Sequence, residues 1–246
     1  MSGPTPAFAV VIPAYNENTS IHDVAQRALA QLPLVIVVDD GSTDATAAAL
    51  AGLPVILLRN ESNRGKAASL RRGADEAVRR GADAVVTLDG DGQHCPEDIP
   101  LLLTAYRDAP QCIVIGTRLH ARKQIPPARY YANRFANFWI SWAAGQAIAD
   151  TQSGFRVYPA ALFARAVVQT GRAASFVFES EILIEAARSG VRIACVPINP
   201  VYGAHTRPSH FRPVVDIARI VRMVAWRLLA RGLYLRGLVR SLRTPG

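Results

Sequence analysis

No apolar run in this chain approaches the ~18 to 20 residues that a membrane-spanning helix needs, although half of its 246 residues are hydrophobic. The N-terminal stretch also lacks a basic segment followed by an apolar signal core, so the sequence reads as a protein that stays in the cytoplasm. Cysteine is scarce. Cys95, Cys112 and Cys195 are odd in number, scattered, and without paired metal-ligand spacing, which argues against a disulfide framework or a zinc site. There is no internal repeat and no low-complexity linker, and the length suits one large α/β domain followed by a C-terminal appendage.

Acidic residues are nearly missing from the C-terminal region. From Arg207 onward nine arginines face one acid, Asp216, so this segment carries about +8 of the formal +9. The spacing predicts a helix from Asp216 to Leu242, with Ile220, Val221, Val224, Leu228, Leu235, Leu238, Val239 and Leu242 on one broad face. Arg219, Arg222, Arg236, Arg240 and Arg243 fall mostly on the other face, while Arg231 interrupts the apolar one. A basic amphipathic helix of this kind suits an anionic membrane surface, where each cation contributes roughly 1 kcal/mol. A solvated helix packed on the domain and a membrane-protein partner are the other readings. No aromatic platform interleaves these arginines, so nucleic acid is not expected. The expected division is a catalytic domain over residues 1–212 and a basic helical tail over 213–246.

Upstream, apolar runs alternate with helical spacing. Strands are predicted at Phe8 to Ile12, Leu34 to Val38, Val55 to Leu58, Ala84 to Leu88, Cys112 to Gly116 and Val191 to Val196. Helices are predicted at Ile21 to Leu32, Thr43 to Leu50, Gly65 to Arg79, Pro96 to Tyr106, through Trp139 and Trp142, and at Ile182 to Arg188, the last begun by Glu179 and Glu181. Such alternation implies a doubly wound, mainly parallel sheet flanked by helices. Residues 117 to 135 are the least regular part, basic and aromatic around Pro126-Pro127, and read as a mobile loop able to accept an anionic lipid head.

The chemistry concentrates at Leu88-Asp-Gly-Asp-Gly-Gln-His94. In parallel sheets ligands occupy the crevice beyond the carboxyl ends of the strands, and Asp89 and Asp91 fall at one such end. Residues i and i+2 of an extended segment point the same way, so both carboxylates can reach one hard cation, and Gln93 adds a third oxygen. An Asx-rich turn is the plainer reading of an isolated pair. Gly65-Lys66 places a cation and open backbone at a helix start, favourable for phosphate. It is not a Walker A loop, because Asn60 stands where that pattern needs glycine and Ala67 where it needs Ser or Thr.

Four segments stand in order: Val10-Val-Ile-Pro-Ala-Tyr-Asn-Glu17, Val37-Val-Asp-Asp-Gly-Ser-Thr-Asp44, Asn63-Arg-Gly-Lys-Ala-Ala-Ser69 and Leu88-Asp-Gly-Asp-Gly-Gln93. In order and spacing they resemble the family 2 glycosyltransferases with the GT-A fold. Asp150-Thr-Gln-Ser-Gly-Phe-Arg156 and Phe178-Glu-Ser-Glu181 look like the polyprenyl-phosphate branch, of the dolichyl-phosphate mannose synthase type. The resemblance implies a nucleotide-diphosphate sugar donor and inversion by direct displacement. It sets Pro13, Ala14, Tyr15, Glu17 and Asp40 at the nucleotide, with Gly65, Lys66, Asp89 and Gly90 beside them. Asp89, Asp91 and Gln93 would hold Mg²⁺ or Mn²⁺, and Asp150 and Gln152 would line the sugar pocket. Arg118, Arg129 and Arg134 are the candidates for clamping an acceptor phosphate.

The acceptor decides whether a base is required. A phosphate monoester is largely dianionic near pH 7 and can attack unaided, whereas a lipid or saccharide hydroxyl needs proton removal, with Glu179 or Glu181 as candidates. Several relatives in this branch carry membrane-spanning helices after the catalytic domain and this sequence shows none, which leaves membrane contact to the basic helix, the acceptor loop or a partner. A non-catalytic membrane-surface or sugar-nucleotide binding protein is the reading from another class. A nucleotidyltransferase would use a Gly-rich N-terminal loop that is absent here.

Overall fold

The computed structural model describes residues 7–118, 125, 127–165, 175–199, 213–230 and 232–242. Its strands are β1 (Phe8–Ala14), β2 (Val35–Asp39), β3 (Ile56–Arg59), β4 (Ala84–Thr87), β5 (Ile113–Thr117), β6 (Arg156–Pro159) and β7 (Ile193–Pro197). Its helices are α1 (Ile21–Leu29), α2 (Thr46–Ala49), α3 (Lys66–Arg79), α4 (Ile99–Asp108), α5 (Pro127–Ala144), α6 (Ala160–Arg165), α7 (Ser175–Arg188), α8 (Pro213–Leu229) and α9 (Leu235–Ser241). The strands form one sheet in the order β3-β2-β1-β4-β6-β5-β7. Neighbours pair in parallel except β6, which runs antiparallel to both β4 and β5.

The period-2 alternation of side chains divides the core in two. Ala9, Val11, Ile36, Val38, Val85, Ile113 and Ile115 face one layer, built from α3, α5, α6, α7 and α8. Val10, Ile12, Val35, Val37, Val86 and Val114 face the other, with α1 and α4. Both faces of the sheet are covered, which is why its strands read as unbroken apolar runs. The chain turns outward from β1 to β2 and β3 on one side and to β4 on the other, so a crevice opens beyond the ends of β1 and β4.

Three departures from the sequence reading matter. First, β6 and α6 were not anticipated: a four-residue strand that begins with Arg156 shows no apolar alternation. Second, α7 begins at Ser175, so Glu179 and Glu181 lie inside it rather than at its start. Third, the single helix expected from Asp216 to Leu242 is broken. Gly232, Leu233 and Tyr234 take φ of 58, 65 and 43°, which a right-handed helix cannot contain. Ile220, Val224 and Leu228 of α8 are buried in the core, packed with α5 and α7. The tail over 213–246 is therefore built onto the sheet's helical layer up to Leu229.

The side chain that ties this layer to the sheet is Arg156, which is fully buried. Its guanidinium donates to Ser153 O (2.6 Å), Thr151 O (2.8 Å), Glu179 O (3.0 Å) and the Tyr158 hydroxyl (2.6 Å). Burial pushes the Tyr158 phenol up, so it stays neutral and accepts from the arginine. Replacing Arg156 with methionine keeps the bulk but strands these acceptors away from water, each at about 1–3 kcal/mol. Arg156→Met is expected to lower unfolding free energy by about 3 kcal/mol or more, read from the denaturant midpoint. A loss under about 1 kcal/mol would mean that water or a neighbour replaces the guanidinium.

Candidate active site

Each side of the crevice is fixed by a strand end. Beyond β2, the buried Asp40 carboxylate accepts from Asn60 Nδ2 (2.7 Å), Arg64 N (2.9 Å) and Gly65 N (2.8 Å). The sequence offers Asp40 to a nucleobase; in the structure both its oxygens are committed to the loop that starts α3. That loop closes through Gly65, whose φ of 91° a side chain would strain. Beyond β1, Ala14 O accepts from Asp40 N (2.8 Å), Tyr15 is half-buried, and Glu17 is buried with its N–H donated to Thr46 Oγ1 (2.8 Å). Ser20 Oγ donates to Gly90 O (2.7 Å), joining the start of α1 to the acid-bearing loop.

Lys66, the first residue of α3, joins the two carboxylates at the crevice floor. Its Nζ lies 2.6 Å from Asp89 Oδ1 and 3.0 Å from Glu179 Oε1. Burial works against the lysine's charge, but Asp89 and Glu179 more than reverse this and hold it protonated beyond the ordinary lysine range. Asp89 is likewise penalised by burial, yet Lys66 brings its carboxyl down to about 2. Asp91 goes the other way: burial and then the charge of Asp89 raise it above the usual aspartate value. Its Oδ1 accepts from Gln93 N (3.0 Å), and Gln93 is itself buried. The buried His94 packs against Phe155 at 5.5 Å, with Nδ1 4.0 Å from Asp89 Oδ2.

Glycine at 154 is required by contact. A Cβ there would stand 2.5 Å from Asp89 Oδ2 and 2.9 Å from Lys66 Nζ. Thr87 Oγ1 holds this residue to β4 by donating to Gly154 O (2.7 Å). The loop before it is anchored by α5: Asn137 donates to Ala149 O (2.6 Å) and accepts from Thr151 N (2.9 Å) and Thr151 Oγ1 (2.7 Å). Asp150, wholly buried, accepts from Arg118 N (3.2 Å), Arg118 Nε (3.4 Å) and Gln152 N (3.2 Å). It therefore orients Arg118, whose charge reaches Asp89 and Asp91, and is not itself presented to a substrate sugar. Gln152 is half-buried and donates to Thr151 Oγ1 (3.1 Å).

The structure separates residues that the sequence treats together. Positions i and i+2 of a helix lie about 200° apart. Glu179 thus meets Lys66, while Glu181 faces α8 and pairs with Arg227 at 3.2 Å. Glu181 is removed from the crevice, correcting its candidacy as a base there. Arg134 is exposed on α5, stacked 5.9 Å over the Tyr130 ring. Arg129 is in the first turn of α5, and its side chain lies outside the described residues, as do Arg122 and Lys123. Sequence reasoning missed Arg156, Asn137 and Asn60. Only Arg156 left a signal, as the last residue of a motif already singled out.

The donor set suits a hard divalent cation. Asp89, Asp91 and Gln93 offer oxygen to such an ion, and Asp91, raised first by burial and then by the charge of Asp89, lies where added positive charge is favoured. Among the described residues no three His, Cys, Asp or Glu side chains surround one metal position, so such an ion would need further oxygens from a bound substrate.

Comparison with known proteins agrees with this geometry. The model of glycosyl transferase family 2 matches residues 9–172. The chain is 30% identical over 236 residues to the undecaprenyl-phosphate mannosyltransferase of Micrococcus luteus, covering 90% of this chain and 94% of that one. It is 30% identical over 206 residues to the polyprenol monophosphomannose synthase of Mycolicibacterium smegmatis, covering 79% and 77%. These names bear out the resemblance to the polyprenyl-phosphate branch. In fold it is similar to glucosyl-3-phosphoglycerate synthase from Mycobacterium tuberculosis, solved with Mn²⁺, uridine diphosphate and phosphoglyceric acid, at TM-score 0.67 and 21% identity over 92% of this chain and 78% of that one. The GT-A architecture expected from the motifs is thus present, and the chain belongs to glycosyl transferase family 2 as a glycosyltransferase.

Proposed function

We propose that this protein is an inverting transferase that moves a hexose from a GDP- or UDP-sugar to the phosphate of a polyprenyl phosphate. The names of its relatives support the acceptor class. The observation that carries the reading is the state of the two glutamates. Glu179, the one of the pair left at the crevice, is held by Lys66, and Glu181 is held by Arg227 away from it, so the glutamate placed to deprotonate a hydroxyl is engaged by a cation. A phosphate acceptor needs no such base. A lipid or saccharide hydroxyl acceptor is the alternative.

In this reading the donor's base and ribose lie along Pro13, Ala14, Tyr15 and Glu17, with Asp40 setting the loop that carries Gly65 and Lys66. Gly90 and Gln152 border the diphosphate and sugar. Asp89, Asp91 and Gln93 would hold Mg²⁺ or Mn²⁺, a metal of the kind bound by the mycobacterial fold neighbour. When bound, it neutralises charge developing on the departing diphosphate. Lys66 keeps Asp89 ionised and fixes its direction. Arg118, aimed by Asp150, supplies a fixed positive charge for the acceptor phosphate, with Arg129 and Arg134 on α5 as further cations. Orientation of a preformed nucleophile then does most of the work. Such an acceptor places the reaction at a membrane, and we read the protein as peripheral on the cytoplasmic face.

The test incubates protein with polyprenyl phosphate and a panel of radiolabelled GDP- and UDP-sugars, scoring mild-acid-labile lipid. Label is expected from at least one donor, abolished by chelation and restored by Mg²⁺ or Mn²⁺. Asp91→Asn is expected to lower turnover by about 100-fold or more while leaving the unfolding midpoint close to wild type. Metal-independent transfer would sink the assignment of Asp89, Asp91 and Gln93.

A second comparison separates the acceptors. Glu179→Gln is expected to cost less than about tenfold in kcat, and Glu181→Gln to leave kcat within about twofold, because general-base removal costs 10²–10⁴-fold. A loss of that size at Glu179, with acid-stable product, would assign the acceptor as a hydroxyl.

A further inference from the structure

Two helices leave apolar rows facing outward. On α9 and its C-cap, Leu235, Val239 and Leu242 are 63%, 57% and 68% exposed and recur at i, i+4 and i+7, one face of a helix. The inward face of α9 is Gly237, buried against the Tyr234 ring and Trp142 O, with half-buried Leu238. The sequence suggests arginines outward and leucines against the domain; the structure instead turns Leu235 and Val239 of α9, and Leu242 at its C-cap, to the outside. On α5, Tyr131, Phe135 and Phe138 repeat the same i, i+4, i+7 spacing and are also exposed. The next step along that row is Trp142, whose indole donates to Leu233 O (3.0 Å) and Tyr234 O (3.3 Å) at the entry to α9. Phe138 and Trp142 are in ring contact at 6.1 Å. The two rows thus belong to one surface, joined at a hydrogen-bonded corner.

The two helices themselves carry charge of one sign. Residues 109–149, which contain α5, include no acid, and neither do residues 217–246, which contain α9. Arg236 and Arg240 are exposed beside the α9 row, and Arg134 beside the α5 row. Narrow apolar rows flanked by arginines and tyrosine match the layered chemistry of a bilayer interface, with hydrocarbon at the centre and phosphate at the edges.

We propose that α9 and the outward row of α5 form a docking surface for an anionic lipid bilayer. Leu235, Val239 and Leu242 enter the acyl boundary, and Arg134, Arg236 and Arg240 meet headgroup phosphates. The surface leads along α5 to its first turn, so docking brings that end of the helix to the headgroup level. The inference stands on the exposed surface alone and would survive a change of sugar donor or acceptor.

The test is co-sedimentation of the full chain with vesicles of phosphatidylcholine alone and with added phosphatidylglycerol, over a range of salt. Wild type is expected to sediment with the anionic vesicles and to be released progressively by salt. A triple variant, Leu235→Asp, Val239→Asp and Leu242→Asp, is expected to partition at least about tenfold more weakly with an unchanged thermal midpoint, since all three side chains are exposed. Leu242→Asp alone, at the last turn, gives the same direction should the triple variant fold poorly. Arg236→Gln with Arg240→Gln is expected to weaken only the anionic binding and its salt dependence. Wild type left in the supernatant, or apolar variants that sediment like wild type, would overturn the proposal. A concentration-dependent dimer abolished by the same substitutions, without vesicle binding, would give the face to a second copy instead. Transfer to a short-chain, water-soluble isoprenyl phosphate is expected to be unchanged in the triple variant, which separates loss of docking from loss of catalysis.

Discussion

A guanidinium enclosed at the sheet's antiparallel strand is the constraint on which the active site rests. Arg156 gathers the carbonyls of Thr151, Ser153 and Glu179 and the Tyr158 hydroxyl, so one charge fixes the loop before β6 and the second turn of α7 at once. Burying a cation is costly unless every donor finds a partner. Here that requirement dictates the loop's path. With the path set, Gly154 comes up against Asp89 and Lys66, and the Glu179 carboxylate reaches the lysine from the opposite side.

The crevice that results is an electrostatic arrangement more than an apolar one. Lys66 is shared by two carboxylates from different elements, Asp150 aims Arg118, and Asp91 remains the acid that its neighbours disfavour. Local charge is nearly balanced by the protein, with the remaining demand concentrated at the mouth, where a divalent ion and an anionic substrate would enter together. Preorganised charge of this kind acts without reorganisation at the moment of reaction.

The strand ends were legible because their chemistry is local. Asp89 follows the end of β4, the Asp91 carboxylate closes a tight turn by accepting from Gln93 N, and Gly65 and Lys66 announce a helix start; each signal lies within a few residues. The rest depends on phase and on distant partners. A helix thought to begin at Ile182 makes Glu179 and Glu181 equivalent, and only its true start at Ser175 sets them on opposite sides. Asp40 reads as a ligand until Asn60, Arg64 and Gly65 are seen to occupy it. Arg156 resembles a surface arginine at the edge of a short segment, since nothing in four residues reveals that a strand will be enclosed between two others. The break after α8 was hidden for a related reason: Leu233 and Tyr234 are poor choices for a left-handed backbone, and Trp142, 91 residues before Leu233, holds the corner.

The place of β6 has a consequence for how the molecule is made. Because it lies between β4 and β5, the half-sheet of β5 and β7 has no strand pairing with the first four strands until residues 156 to 159 are in place. The first four strands can pair as soon as they are synthesised, since their contacts are close in sequence. Closing the remainder must wait for a short segment arriving some seventy residues after Ala84, its partner across the β4 ladder. Chains interrupted before that point would expose the edges of β4 and β5, open templates for association with other chains. The strand that fixes the loop beside Asp89 is also the one that joins the two parts of the sheet.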